Sequence, residues 1–211
     1  MVQPPASTAA LARRLQGVNL YLVGMMGAGK SAVGRPLAEA LGYRFIDADT
    51  VVEQAAGRPI PEIFASEGET GFRALETAVL DRIAGWHSLV VATGGGVVSQ
   101  PVNWGHLQQG VVIWLDAPAD LLLQRLQADP TPRPLLAGED PAGRLTALLE
   151  QRRPLYAQAD LSVLQQPGDD PAAVAGRVLA SLPSILRERS LPPEAPVMLQ
   201  DSDGRPTQSL N

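Results

Sequence analysis

The stretch Val18-Asn-Leu-Tyr-Leu-Val-Gly-Met-Met-Gly-Ala-Gly-Lys-Ser31 decides the fold. Its first six residues form an apolar run of strand length, and Gly24 to Ser31 then match the pattern G-x-x-x-x-G-K-[ST] in full. In that pattern glycines let backbone N–H groups turn inward around a phosphate without Cβ clashes, and a helix beginning near Gly29 adds its positive dipole end. Lys30 is placed to bridge β- and γ-phosphates, and the Ser31 hydroxyl to ligate magnesium. A glycine-rich turn that ends in lysine by chance is the competing reading; a strand before and helical periodicity after argue against it. Nucleotide binding is the expectation, with the second substrate and the reaction still open.

Working outward, strand-length apolar runs recur at Tyr43–Ile46, Leu89–Ala92, Val111–Leu115 and Leu161–Leu164, with helical periodicity between them. Strands too apolar to alternate, separated by helical segments, predict an α/β domain whose parallel sheet is covered on both faces. Ligands then gather at the carboxyl edge of the strands. Residues 127–143, QADPTPRPLLAGEDPAG, carry four prolines and two glycines and predict a mobile lid. The domain is expected over 18–186. Residues 1–17, with two arginines and no acid, resemble a transit peptide faintly and are expected to be a disordered extension. The proline-rich stretch 187–211 is expected to be a disordered tail.

The bulk numbers agree with one soluble domain. The chain has 211 residues, 45% apolar and 18% charged, enough for one sizeable core. No cysteine is present, which excludes a disulfide framework and a thiolate metal site and suits a reducing compartment. A formal charge of −5 argues against broad binding to nucleic acid or an anionic membrane, while leaving room for a local arginine cluster around a small anion. No apolar run approaches the roughly 18 residues needed to span a bilayer. A cytoplasmic monomer is the default expectation.

Candidate chemistry sits after the strands. In Asp47-Ala-Asp49 an extended chain would put both carboxylates on one side, Asp47 toward a magnesium shell and Asp49 toward an attacking hydroxyl as its base. Either could instead cap the following helix. Thr93 stands where a strand of a nucleotide-hydrolysing protein would carry a magnesium-holding aspartate, and Gly94-Gly-Gly96 follow. With no side chains there, a polyhydroxylated ring could approach backbone N–H donors closely. Arg73 and Glu76 share a helix face, a spacing that by itself favours a solvated ion pair. Arg133 lies in the lid, where it could neutralise charge on a transferred phosphoryl group. Arg152 is uninformative alone, but Arg73 and Arg152 converging beside Gly95 would make a pocket for a small carboxylic acid. His87, His106, Trp86, Trp104 and Trp114 read as packing or surface residues.

Taken in order, Gly24 to Ser31, Asp47-Ala-Asp49, Phe72-Arg-Ala-Leu-Glu76, Thr93-Gly-Gly-Gly96, Arg133-Pro-Leu-Leu136 and Arg152-Arg-Pro-Leu-Tyr156 form a specific set. Over residues 18 to 182 the chain resembles shikimate kinase. The resemblance implies a P-loop kinase of the nucleoside-monophosphate-kinase type, with a five-stranded parallel sheet in 2-3-1-4-5 order, helices on both faces and a lid. It implies transfer of the γ-phosphoryl group of ATP to the 3-hydroxyl of shikimate, with Mg2+, on the route to chorismate and aromatic amino acids. Carried over by motif, Gly27, Ala28, Gly29, Lys30, Ser31 and Ala32 hold ATP, joined by Arg133 from the lid. Ser31 and Asp47 serve the metal, and Lys30, Asp49 and Arg133 are the catalytic set. Asp49, Arg73, Gly94, Gly95, Gly96 and Arg152 bind shikimate, the two arginines on its carboxylate. One departure stands out: Arg125 lies eight residues before Arg133, where the family often places an adenine-facing arginine seven before. A gluconate kinase and a binding module without catalysis are the other readings; the paired arginine motifs disfavour the first, and the retention of Lys30, Asp49 and Arg133 the second.

Overall fold

The structure is a computed structural model and describes residues 6–129, 133–136 and 138–186. Residues 1–5, the expected tail 187–211 and lid positions 130–132 and 137 lie outside the described residues.

The five apolar runs are all strands: β1 (Leu20–Val23), β2 (Arg44–Asp47), β3 (Leu89–Ala92), β4 (Val111–Asp116) and β5 (Leu161–Leu164). They form one sheet in the order β2-β3-β1-β4-β5, every neighbouring pair parallel. The order places the strand before the glycine loop in the middle, with Leu20 level with Val90 on one side and Val111 on the other.

Strand periodicity sorts the side chains into two cores. Leu20, Leu22, Val90, Ile113 and Leu115 face one layer, where they meet the helices α2 (Lys30–Leu41) and α8 (Pro171–Ser181). Tyr21, Val23, Leu89, Val91 and Val112 face the other, packed against α3 (Ala48–Ala56), α4 (Ile60–Ala84) and α5 (Pro101–Leu107). The helix α7 (Pro141–Tyr156) serves both, Leu145 and Leu149 in the first core and Tyr156 in the second. Helix α6 (Ala119–Ala128) follows β4 and places Leu121 and Leu122 in the first core.

Residues 6–15 correct one expectation. Instead of a disordered extension, Ala6–Leu15 form helix α1, which contacts α2 and buries Leu11 and Leu15 in the first core. Arg14 Nη2 donates to the carbonyl of Leu186, tying the two ends of the described chain together. Spaced four apart, Leu11 and Leu15 form one apolar stripe whose burial stabilises the helix, while Arg13 and Arg14 sit favourably at its C-terminus.

Candidate active site

The site is built at the carboxyl edge of β1, β2 and β3. Helix α2 begins at Lys30 behind Gly29, which is left-handed and offers no side-chain cap, so the first amides of the helix are left for a ligand. Lys30 Nζ donates to the carbonyls of Gly24 at 2.8 Å and Met25 at 3.1 Å, which folds it over the loop. Burial lowers its pKa to about 8, against the opposing pull of Asp49 and Asp47. The outer side of the loop is braced. Buried Gln165 donates to the Ala28 carbonyl at 2.9 Å, and Arg125 donates to both the Gly27 carbonyl at 3.2 Å and Gln165 Oε1 at 3.0 Å. Arg125 thus contacts the phosphate loop itself.

The acidic pair is arranged differently from an extended i,i+2 array. Asp47 ends β2 and caps α3, its Oδ1 accepting from the amides of Asp49 at 3.1 Å and Thr50 at 3.4 Å. Its other oxygen, Oδ2, accepts a short hydrogen bond from the Ser31 hydroxyl. Asp49 is therefore in the first turn of α3, held by the helix and not by the strand. Burial raises the Asp49 pKa, Lys30 works against the rise and Asp47 adds to it. The two roles that spacing left open are split: Asp47 is the cap, and Asp49 is the free carboxylate.

Arg73 and Glu76 are no solvated surface pair. Both are buried, at 6% and 2% exposure, and Arg73 Nη1 donates to Glu76 Oε2 at 2.8 Å. Glu69 accepts from Arg73 Nη2 at 2.9 Å and from Nε at 3.2 Å. A break in α4 at Gly68 starts the helical segment that carries all three. Glu76 Oε1 has no hydrogen-bond partner among the described residues, and burial raises the pKa of the Glu76 carboxyl despite Arg73.

The three glycines after β3 explain how these groups fit. A Cβ on Gly96 would lie 2.1 Å from Arg73 Nη2, and one on Gly94 would lie 2.3 Å from Glu76 Oε1 and 2.9 Å from Asp49 Oδ1. The space a Cβ would take at Gly94 and Gly96 is thus filled by side chains of this chain. The amides of Gly94, Gly95 and Gly96 donate to no protein acceptor among the described residues, while the carbonyls of Gly94 and Gly96 accept from Val97 and Ser99. Buried Thr93 is not a metal ligand by geometry; its hydroxyl donates to the Leu22 carbonyl at 2.9 Å.

Arg152 on α7 completes the ring. It is 4% exposed, and no carboxylate lies within ion-pair distance of it among the described residues. Its Nη1 donates to the Gly95 carbonyl at 3.4 Å and approaches Met25 Sδ at 4.0 Å, and its guanidinium lies beside the Tyr156 hydroxyl. A buried guanidinium without a counterion is costly unless an anion arrives to pair with it. Its neighbour Arg153 faces elsewhere, over the Trp114 ring and 3.6 Å from Asp116 Oδ2.

Two adjoining cavities result. One, of about 510 Å³, is lined by Asp49, Arg73, Glu76, the three glycines and Arg152. The other, of about 360 Å³, is lined by Gly27, Gly29, Lys30, Ser31, Ala32 and Arg125. Ser31, Asp47, Asp49 and Arg133 line both. Arg133 Nη2 is paired with Asp129 at 2.6 Å in this state. Of the residues expected at the site, Ala28 alone turns its side chain into the core and contributes main chain. Gln165, Met25 and Tyr156 were not singled out from sequence; Tyr156 carries the one available signal, since it lies a helical turn beyond Arg152 on the same face.

A central phosphate loop on a parallel sheet of this order, open to a second cavity that holds a buried carboxylate, defines a P-loop phosphotransferase acting on a small molecule. A family model described as shikimate kinase matches residues 26–183. A shikimate kinase of Synechococcus sp. (strain RCC307) is 60% identical over 191 residues, 90% of this chain and 97% of its own. The solved shikimate kinase from Acinetobacter baumannii in complex with shikimate is 42% identical, with a TM-score of 0.77 over 82% of this chain and 96% of that one. A gluconokinase from Sinorhizobium meliloti, 20% identical with a TM-score of 0.52, shares the fold alone. The chain belongs to the shikimate kinase family.

Proposed function

We propose that the two cavities divide one reaction between them, and that the observation carrying this reading is the buried Arg152 without a counterion beside Arg73. The chain phosphorylates the 3-hydroxyl of shikimate at the expense of ATP, giving shikimate 3-phosphate and ADP for chorismate and aromatic amino-acid synthesis. The larger cavity takes shikimate. Its carboxylate pairs with Arg152 and Arg73, and the free glycine amides and Asp49 take the hydroxyls. The smaller cavity takes ATP, with the amides of Gly27 to Ala32 around the phosphates and Lys30 turned from its carbonyls onto them.

Asp49 lies at the junction, where the accepting hydroxyl must meet the γ-phosphoryl group. Burial makes it a stronger base than an ordinary carboxylate, suited to taking the hydroxyl proton as the oxygen attacks in line. Arg133, which lines both cavities, leaves Asp129 and moves onto the transferred phosphoryl group when the lid closes and water is excluded. The Ser31 hydroxyl and the Asp47 carboxylate form an all-oxygen donor pair beside the phosphate loop. That pair fits Mg2+, which takes few protein ligands and completes its shell with phosphate oxygens and water. Held there by Ser31 and Asp47, it would supply neutralisation of the phosphate charge. Among the described residues no group of three or more His, Cys, Asp or Glu forms a separate metal cage.

No helix among the described residues is long and apolar enough to cross a membrane, and we place the reaction in the cytoplasm. The test is ADP release from magnesium-ATP with shikimate, quinate, gluconate or no acceptor. Shikimate should be strongly preferred; equal release without acceptor, or a preference for gluconate, would overturn the reading.

A further inference from the structure

The loop after β3 is held by its carbonyls. Asn103 Nδ2 donates to Val97 O at 2.8 Å and Trp104 Nε1 to Val98 O at 3.1 Å, both from α5. The carbonyl of Gly95, nearest the substrate arginines, is taken from the opposite side by Tyr156 of α7. The Tyr156 hydroxyl donates to it at 2.5 Å, and Arg152 Nη1 makes a longer hydrogen bond to the same oxygen at 3.4 Å. Tyr156 is fully buried, and its ring stacks on Trp114 with centroids 5.8 Å apart, so the hydroxyl has no freedom to leave.

Two consequences follow from peptide geometry. A trans peptide points its C=O and the next N–H in opposite directions, so fixing Gly95 C=O toward α7 aims the Gly96 N–H away from α7. That N–H has no protein acceptor among the described residues, and Gly96 lines the larger cavity. The Gly95 carbonyl also needs a donor, since an unpaired buried carbonyl is costly. With Tyr156 supplying the short bond, Arg152 gives this carbonyl only one long contact and keeps its other N–H groups for another acceptor. The same loop touches the phosphate cradle, because a Cβ on Gly95 would lie 3.1 Å from the Met26 amide.

We propose that Tyr156 is a positioning residue for the acceptor: its hydroxyl holds the Gly95 carbonyl, which fixes the Gly95–Gly96 peptide and leaves Arg152 free for the substrate carboxylate. This rests on the assignment of the larger cavity to shikimate. Burial pushes the Tyr156 pKa up to about 12, so the hydroxyl keeps its proton over the usual assay range.

The experiment compares wild type, Tyr156→Phe and Trp114→Phe in the ADP-release assay and in thermal melting. Tyr156→Phe should raise the KM of shikimate about tenfold, with the KM of ATP and kcat within about threefold, as expected for one buried hydrogen bond. Trp114→Phe, which loosens the packing but keeps the hydroxyl, should lower Tm without splitting the two KM values. An unchanged shikimate KM in Tyr156→Phe, or the same split in both variants, overturns the proposal. If Tyr156→Phe does not fold, 3,5-difluorotyrosine at position 156 preserves the shape and makes the hydroxyl more acidic. Its shikimate KM should then rise with pH as the donor proton is lost, and a profile parallel to wild type counts against the role. Failure of the wild-type protein itself to use shikimate would instead sink the assignment of the cavity.

Discussion

Asp49 shows how a single residue trades stability for chemistry. Its pKa is raised, chiefly by burial. A carboxyl whose folded pKa exceeds its unfolded value favours the fold at acidic pH, and that contribution is lost as pH rises through the folded value. At neutral pH its charge is a cost. Asp49→Asn should therefore cut turnover by about a thousandfold, while Tm near neutral pH stays level or rises. A Tm that falls by several degrees would show that Asp49 holds the fold together. Lys30 gives the opposite sign. Lowered to about 8 by burial, it loses its proton as pH rises through that value, and with it the attraction for phosphate. The kcat/KM for ATP, which reports the free protein, should decline above about pH 8, and a profile flat to pH 10 would contradict the assignment. The identities of both residues were legible from the motifs. Their environments were not, because the burial of each and the arginine charges that face them, Arg133 for both, come from packing between distant parts of the chain.

At the scale of elements, the start of α3 does two jobs with one side chain. Asp47 caps the helix through Oδ1 and meets Ser31 through Oδ2. Asn caps as well as Asp but carries no charge, so Asp47→Asn should leave Tm within about 2 °C and raise the Mg2+ needed for half-maximal rate roughly tenfold. Asp47→Ala should lose both. The lid turn at Arg133 makes a separate demand. Arg133→Ala should lower kcat by about a hundredfold with the KM of shikimate nearly unchanged; full turnover would remove the lid arginine from the mechanism. The α4 segment marks the limit of periodicity. Arg73, Glu69 and Glu76 have the spacing of an ordinary exposed ion-pair face, and nothing along the helix says that Gly96 of another element leaves room to bury the guanidinium. Nor does the composition of the glycine loop say that Gly94 and Gly96 also make room for Glu76 and Arg73.

Across the whole molecule, the two-layered core explains why an apparently dispensable N-terminus is part of the fold. Leu15 is 1% exposed and packs into the α2 side of the core. Leu15→Ala should cost about 3 kcal/mol and lower Tm by about 8 °C, with both KM values unchanged in the folded protein. An unaltered Tm would return α1 to the status of an extension. The sequence by itself determined the sheet's membership, the phosphate loop and the residue types of the site. Those depend on continuous apolar runs of strand length and on local backbone chemistry, which are written in neighbouring residues. Only the tertiary structure decided that Arg152 is buried with no counterion among the described residues, that Tyr156 takes the Gly95 carbonyl and that α1 belongs to the core. Each is a contact between segments far apart in the chain, fixed by how α1, α4 and α7 pack on the sheet, and no local pattern encodes that geometry.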